Sequence, residues 1–487
     1  MMLHELDPAD VFKYFGEICC IPRPSKHEEK IIAYLMDFAA QLELEARCDK
    51  VGNVLIRKPA SEGMEERPTI VLQSHMDMVG EKHSHSKHRF EIDPIASYVD
   101  GEWIKAMDTT LGADCGIGMA AQLALLANND LTHGPVECLF TVDEETGLTG
   151  AEALEPGFLK GNILLNLDSE DEGELFIGCA GGAGVVGVFD MEEEIMPKDH
   201  RIYSYTVSGL TGGHSGDDIH RGRANAVKVA TRFLWQAQQY CQIRLHAFTG
   251  GNLRNAIARE ASAIFTVNTA QATSLTQLFE QHVKDIKSEY AKNDPNIVQK
   301  LEPVARKAGE APFTVWEKAG QQRLLHTLYA CPHGVMAMSS AMKGLVETST
   351  NLASVKVNDD AQIVVETSQR SALEGAKFNV ARMVDALFQL AGAEIEHVDG
   401  YPGWEPNPNS PILDIAKTSY KRLFHIEPKV KAIHAGLECG LFMKKYPGLD
   451  MISFGPTIKN AHSPDERLHI PSVKKFWLLL LDILQNV

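Results

Sequence analysis

The chain has 487 residues, a net charge of −18, 44% hydrophobic residues and 23% charged residues. That length exceeds what one ordinary core serves, so two or more domains are expected, and the composition is that of a soluble globular protein. The acidic balance argues against nucleic acid and against an anionic membrane surface as partners.

The first residues, Met1 to Asp7, show no basic region followed by an apolar one, so no signal peptide is expected and the protein is read as cytoplasmic. Nine cysteines without CxxC spacing are read as reduced thiols, most of them core residues. Ser25 and Glu28 fit a capping box for a helix over 22–38, with Ile31, Ile32, Leu35, Met36 and Phe38 at helical spacing. A turn and short strand follow at 51–56. Three apolar strands are expected at 69–74, 136–142 and 163–167, with an apolar helix over 116–127 between the first two. This strand–helix alternation predicts an α/β mixed sheet covered by helices.

The texture changes at the charged, proline-bearing stretch 190–199, which reads as a linker. Beyond it lie an alternating strand at 201–208, a helix over 224–239, strands at 261–267 and 362–368, and an amphipathic helix over 376–392. Residues 282–300 read as a solvated helix and loop. Tyr401-Pro402-Gly403-Trp404 breaks the pattern, after which strand–helix texture returns. The expected organisation is a discontinuous catalytic domain, 1–189 and 401–487, with an inserted α+β domain at 190–400. The apolar run Phe476–Leu481 is too short to span a bilayer, which takes about 20 residues.

Polar residues stand at the ends of these strands, where open α/β sheets place their sites. His75-Met76-Asp77 ends the first strand. Residues i and i+2 of an extended chain point the same way, so His75 can ligate a metal while Asp77 orients its ring. Asp114, after a glycine turn and before an apolar helix, reads either as a helix cap or as a carboxylate bridging two metals. The adjacent Glu144 and Glu145 repel each other and point in different directions. One can bind metal while the other serves as base; a solvated loop would also accommodate both. Asp168 ends a third strand, and His462 follows the strand Met451–Phe454. His, Asp and Glu together are the ligand set of a hydrolytic zinc site. The tract His83-Ser84-His85-Ser86-Lys87-His88 is read as a solvated loop, because nothing completes a metal site there.

Taken together, HMD at 75–77, LGADCGIG at 111–118, DEETG at 143–147, NLDSED at 166–171, SGLTGGHSG at 208–216 and NAHSPDE at 460–466 resemble the M20 family of dinuclear zinc peptidases. IPRPSKHEE near the start, GGHSGDDIHRGRANA and HAGLECG at 434–440 resemble its aminoacyl-histidine (Xaa-His) dipeptidase branch. The resemblance implies one metal on His75, Asp114 and Asp168 and a second on Asp114, Glu145 and His462. The metals would be two divalent ions, Zn²⁺ foremost, with Mn²⁺ or Co²⁺ also suited. Asp77 would support His75, and Glu144 would be the general base toward a metal-bridging hydroxide. A cis peptide would follow Asp114. The inserted domain would be a lid and dimerisation domain, giving a homodimer. Its His214 would stabilise the developing oxyanion, and Asn255, Arg370 and Gly436 would contact the substrate. The implied activity is hydrolysis of Xaa-His dipeptides, including β-alanyl-histidine, and of other dipeptides. The alternatives are another M20 activity (a broad dipeptidase, tripeptidase or deacylase) or a non-catalytic metal-bound binding protein.

Overall fold

The strand Ile70–His75 lies at the heart of an eight-stranded mixed sheet, paired in parallel with Val136–Thr141 on one side and Ile163–Asn166 on the other. The computed structural model describes residues 3–306 and 311–487. The sheet order is Glu45–Cys48, Val54–Lys58, Val136–Thr141, Ile70–His75, Ile163–Asn166, Asp450–Ser453, Glu174–Cys179, Lys429–Ile433. Asp450–Ser453 is parallel to Ile163–Asn166, whereas Val54–Lys58 pairs antiparallel with Val136–Thr141. The strands at 70–75 and 136–141 are buried along their whole length, as strands covered on both faces are, and their buried polar side chains are paired, Gln73 with Glu438 and Glu137 with Arg57. The register sets His75 opposite Thr141 and Gln73 opposite Asn166. The segments after all three strands therefore leave the sheet at one edge.

The chain forms two compact units: Met1–Cys179 with Trp404–Ala432 and Leu437–Val487, and Ala180–Gly403 with Ile433–Gly436. In the first, the helix Ala113–Ala127 is almost wholly buried and packs against Ala9–Cys19. The second is built on a nine-stranded antiparallel sheet. The helix Ala226–Cys241 supplies Phe233 and Leu234 to its core, which also holds Tyr205, Phe248, Phe265 and Phe388. No described helix is long and apolar enough to cross a membrane. All nine cysteines are free thiols.

Three expectations are corrected. The second unit begins at Ala180, ahead of the charged stretch expected to be the linker. Gly181–Phe189 is a strand of its sheet, paired with Ile363–Ser371 and Glu394–Tyr401. The strand is glycine-rich because rings fill the space side chains would take: a Cβ on Gly187 would lie 2.6 Å from Phe388. Ile433–Gly436 also belongs to this unit, with Ala180 N–H donating to Ala435 O at 2.9 Å. The expected capping box does not form. The helix runs Glu29–Gln41, Ser25 Oγ donates instead to Asp77 Oδ2 at 2.8 Å, and Glu28 Oε1 accepts from the Lys26 and Asp143 N–H groups. Within 282–300, His282 and Ile286 of the helix Ala272–Tyr290 are buried rather than solvated.

Candidate metal centre

The strand-end segments of the first unit bring His75, Asp77, Asp114, Glu144, Glu145, Asp168 and His462 into one cluster. Asp114 is shared: its Oδ1 lies 3.0 Å from His75 Nε2 and its Oδ2 lies 3.1 Å from His462 Nε2. Asp168 Oδ1 approaches the same His75 nitrogen at 3.3 Å, and Glu145 Oε2 approaches His462 Nε2 at 3.0 Å. Two donor groups thus meet at one carboxylate, and Asp114 does not cap a helix. Its backbone is extended (φ −83°, ψ 112°) within the kinked start of Ala113–Ala127, and the Asp114–Cys115 peptide is cis.

On its other side the His75 ring faces Asp77, with Nδ1 3.3 Å from Oδ1. His75 Nδ1, Glu145 Oε1 and Asp168 Oδ1 are each buried without an aligned hydrogen-bond partner. Asp77 also accepts the N–H groups of Glu144 and Glu145, Oδ1 at 3.1 Å and Oδ2 at 3.3 Å. These are the free first-turn donors of the short helix Glu144–Gly147. Asp143, in the left-handed region at φ 49°, starts that turn and accepts from Thr146 and Thr149 hydroxyls. His462 also takes a left-handed conformation, φ 61°. From there its ring reaches Asp114 and Glu145.

The electrostatics follow from crowded carboxylates. Burial disfavours a charged His75, yet Asp168, Asp114 and Asp77 hold its pKa above the usual histidine range. Hydrogen bonds to Asp114 and Glu145 push His462 up to about 11. Burial lifts Asp168 to about 6 and, helped by Asp168 and Glu145, drives Glu144 well up. Asp114 is held far down by the two imidazoles despite its burial. This field calls for positive charge among nitrogen and oxygen donors. His75, Asp114 and Glu145 converge closely enough to hold an ion, as do His75, Cys115 and Asp168. Unpartnered buried donor atoms and a shared carboxylate fit a hard or borderline divalent cation. The Cys115 thiol donates to Leu167 O at 3.2 Å, and burial raises its pKa.

Other groups here were not picked out by sequence reasoning. Arg23, 1% exposed, donates to Met76 O, Asp77 O and Gly112 O. Glu438 Oε2 accepts from Gln73 Nε2 at 2.5 Å and Thr141 Oγ1 at 2.8 Å, and burial lifts it to about 8. Glu466 accepts backbone N–H groups of 111–114. All three lie in motifs quoted above, IPRPSKHEE, HAGLECG and NAHSPDE. Their partners are largely backbone groups far away in the chain, which leave no local signal. In the histidine tract His83 and His85 are exposed, with His85 Nε2 3.2 Å from Asp108 Oδ1, whereas His88 is half-buried.

In the second unit, Arg370 is a buried hub. Its Nη1 donates to Tyr401 Oη at 2.8 Å, its Nε donates to Ser215 Oγ at 3.3 Å, and its Nη2 lies 3.4 Å from His214 Nε2. His214 is placed by its own N–H on Asp218 Oδ2 at 2.9 Å and by Asp217 N–H on its Nδ1 at 3.2 Å. Asn255 lies next to this loop through its backbone, Ser215 N–H to Asn255 O at 2.8 Å, while the residue is exposed. Gly436 lies against Tyr401, whose ring would be 2.7 Å from an added Cβ, so no larger residue fits. Tyr401 and Ser215 were not anticipated. Neither carries a sequence signal beyond its motif.

The comparisons with known proteins agree with this chemistry. The sequence profile of peptidase family M20/M25/M40 matches residues 71–486. The cytosol non-specific dipeptidase of Escherichia coli (strain K12) is 43% identical over 485 residues, spanning 100% of this chain and 99% of the relative. The crystal structure of aminoacylhistidine dipeptidase from Vibrio alginolyticus superposes with a TM-score of 0.91 at 44% identity, covering 100% of this chain and 98% of that one. Aminopeptidase PepT from Bacillus cereus, at 15% identity with 99% of each chain covered, shares the fold with a TM-score of 0.56.

Proposed function

The chain belongs to peptidase family M20/M25/M40, and from that premise we propose that it is a divalent-metal dipeptidase of the cytoplasm that cleaves Xaa-His and other dipeptides. The observation that carries this reading is the Asp114 carboxylate, with one oxygen on His75 and the other on His462. Two divalent ions, Zn²⁺ foremost, would be held by His75, Asp114 and Asp168 and by Asp114, Glu145 and His462. When bound, such ions polarise a scissile carbonyl and acidify water.

The chain's own groups do the rest. Asp77 fixes the orientation and basicity of the His75 ring. Glu144, with a pKa lifted by burial, takes the proton from the attacking water and passes it to the leaving amine nitrogen. Its neighbour Glu145 faces His462 instead, which gives the adjacent carboxylates separate tasks. In the second unit, the guanidinium of Arg370 suits a substrate carboxylate, which it can grip with two hydrogen bonds. His214 is the donor for the developing oxyanion, and Asn255 and Gly436 are assigned contacts to the substrate. We assign this unit the role of lid and homodimer interface.

The two full-length relatives are named for different breadths, one non-specific and one for aminoacylhistidine substrates. A panel of Xaa-His, Xaa-Leu, tripeptide and N-acyl substrates tests the reading. Dipeptides, with Xaa-His among the best, are expected to be cleaved. Cleavage confined to tripeptides or N-acyl compounds would overturn it.

A further inference from the structure

Glu466 lies four residues beyond His462, at the end of a turn in which its own N–H donates to Ser463 O at 3.0 Å. The residue is 2% exposed, and its carboxylate accepts from backbone donors 352 to 355 residues away. Oε2 accepts from Leu111 N–H at 2.7 Å and Gly112 N–H at 2.9 Å. Oε1 accepts from Ala113 N–H at 2.7 Å and lies 3.4 Å from Asp114 N. Consecutive N–H groups turned toward one anion form a nest that fixes the course of the loop. The last of them belongs to Asp114 itself.

The opposite side of the same loop is held by a cation. Arg23 Nη2 donates to Gly112 O at 2.5 Å, and its Nη1 donates to Met76 O at 2.9 Å and to Asp77 O at 2.7 Å. Gly112 has φ 69°, and a Cβ there would lie 2.7 Å from the Arg23 guanidinium, so the loop can pass between the two charges only with glycine at this point. One turn therefore carries two contacts to the Asp114 segment: His462 on its side chain and Glu466 on its backbone.

We propose that Glu466 is a positioning residue that sets the Asp114 carboxylate between His75 and His462 and so determines divalent-metal affinity. This rests on the proposed metal-dependent reading. Glu466→Gln keeps the shape but turns an amide NH₂ toward backbone N–H donors, which costs part of the nest. Glu466→Asp keeps the charge but shortens its reach.

The full-length wild type and both variants are titrated with Zn²⁺ against a chromophoric chelator, and kcat and KM are measured at limiting and saturating Zn²⁺. We expect Zn²⁺ affinity to fall about 10–100-fold in Glu466→Gln and less in Glu466→Asp. Saturating Zn²⁺ should restore much of kcat with KM little changed. A purely structural role would lower the melting temperature without moving Zn²⁺ affinity. If Glu466→Gln does not fold, Glu466→Asp decides. Affinity within twofold of wild type in the folded variant overturns the inference. A wild type that binds no Zn²⁺ overturns the proposed function itself, so the two failures are distinguishable.

Discussion

Asp77 accepts the backbone N–H of Glu144, with Oδ1 3.1 Å from the nitrogen. The same carboxylate faces His75 Nδ1 at 3.3 Å and receives Ser25 Oγ at 2.8 Å. A single buried anion thus ties the end of one strand to the acid pair at the end of the next. Asp77→Ala is expected to disturb both the imidazole and the Glu144–Glu145 turn, weakening divalent-metal binding about 10–100-fold. Chelator competition measures this. Unchanged affinity would mean that Asp77 does not orient His75.

Glu144→Gln removes a proton acceptor while keeping the side chain's shape and leaving His75, Asp114, Glu145, Asp168 and His462 in place. Turnover of a dipeptide should fall about 10²–10⁴-fold, with metal content as in the wild type. Steady-state kinetics beside elemental analysis separates the two effects. Near-normal turnover would remove Glu144 from the role of base.

Arg370→Lys keeps a positive charge but loses the planar fork that reaches Tyr401 Oη and Ser215 Oγ. If the guanidinium grips the substrate carboxylate, KM should rise about 10-fold or more, with kcat less affected. The check is the full rate–concentration curve for the best dipeptide. A loss confined to kcat would point to a different task for Arg370.

One buried histidine of the second unit gives a pH test. His282 is 2% exposed and packs on the Phe233 ring at 5.5 Å. Burial, with Arg232 adding to it, pushes its pKa down to about 4. Above the ordinary value of roughly 6.5 both folded and unfolded forms are neutral, and its contribution to stability is complete. Between about 6.5 and 4 the unfolded chain takes up a proton that the folded one refuses. Stability therefore falls with decreasing pH by roughly 1.4 kcal/mol per unit for this group. In denaturant unfolding across that range, His282→Leu should show a shallower pH dependence than wild type. Parallel curves would contradict the assignment.

The strand ends were legible because burial on both faces leaves segments rich in apolar residues, and the cluster of acids and histidine that follows them stands out: His75, Asp168 and the Glu144–Glu145 pair all show this. The anchors that hold them were not legible. Glu466 and Arg23 act on backbone groups far away in the chain, and a backbone N–H or C=O leaves no mark in the sequence. Ser25 and Glu28 carried a local pattern that fits a helix cap, but Asp77 and the Asp143 N–H group compete for the same atoms. The start of the second unit was hidden for a different reason. Gly181, Gly182, Gly184 and Gly187 lack strand-forming side chains because neighbouring groups such as Tyr401 and Phe388 occupy their places, so the segment does not read as a strand.

The central claim, two metals sharing Asp114, is tested most directly by titrating metal-free protein with Zn²⁺ while following dipeptide hydrolysis, for wild type and for Asp114→Ala. Wild-type activity is expected to appear on binding of about two ions per chain, and Asp114→Ala should lose tight binding of both together with turnover. Full activity in excess chelator, or an Asp114→Ala variant that binds Zn²⁺ and turns over like wild type, would contradict it.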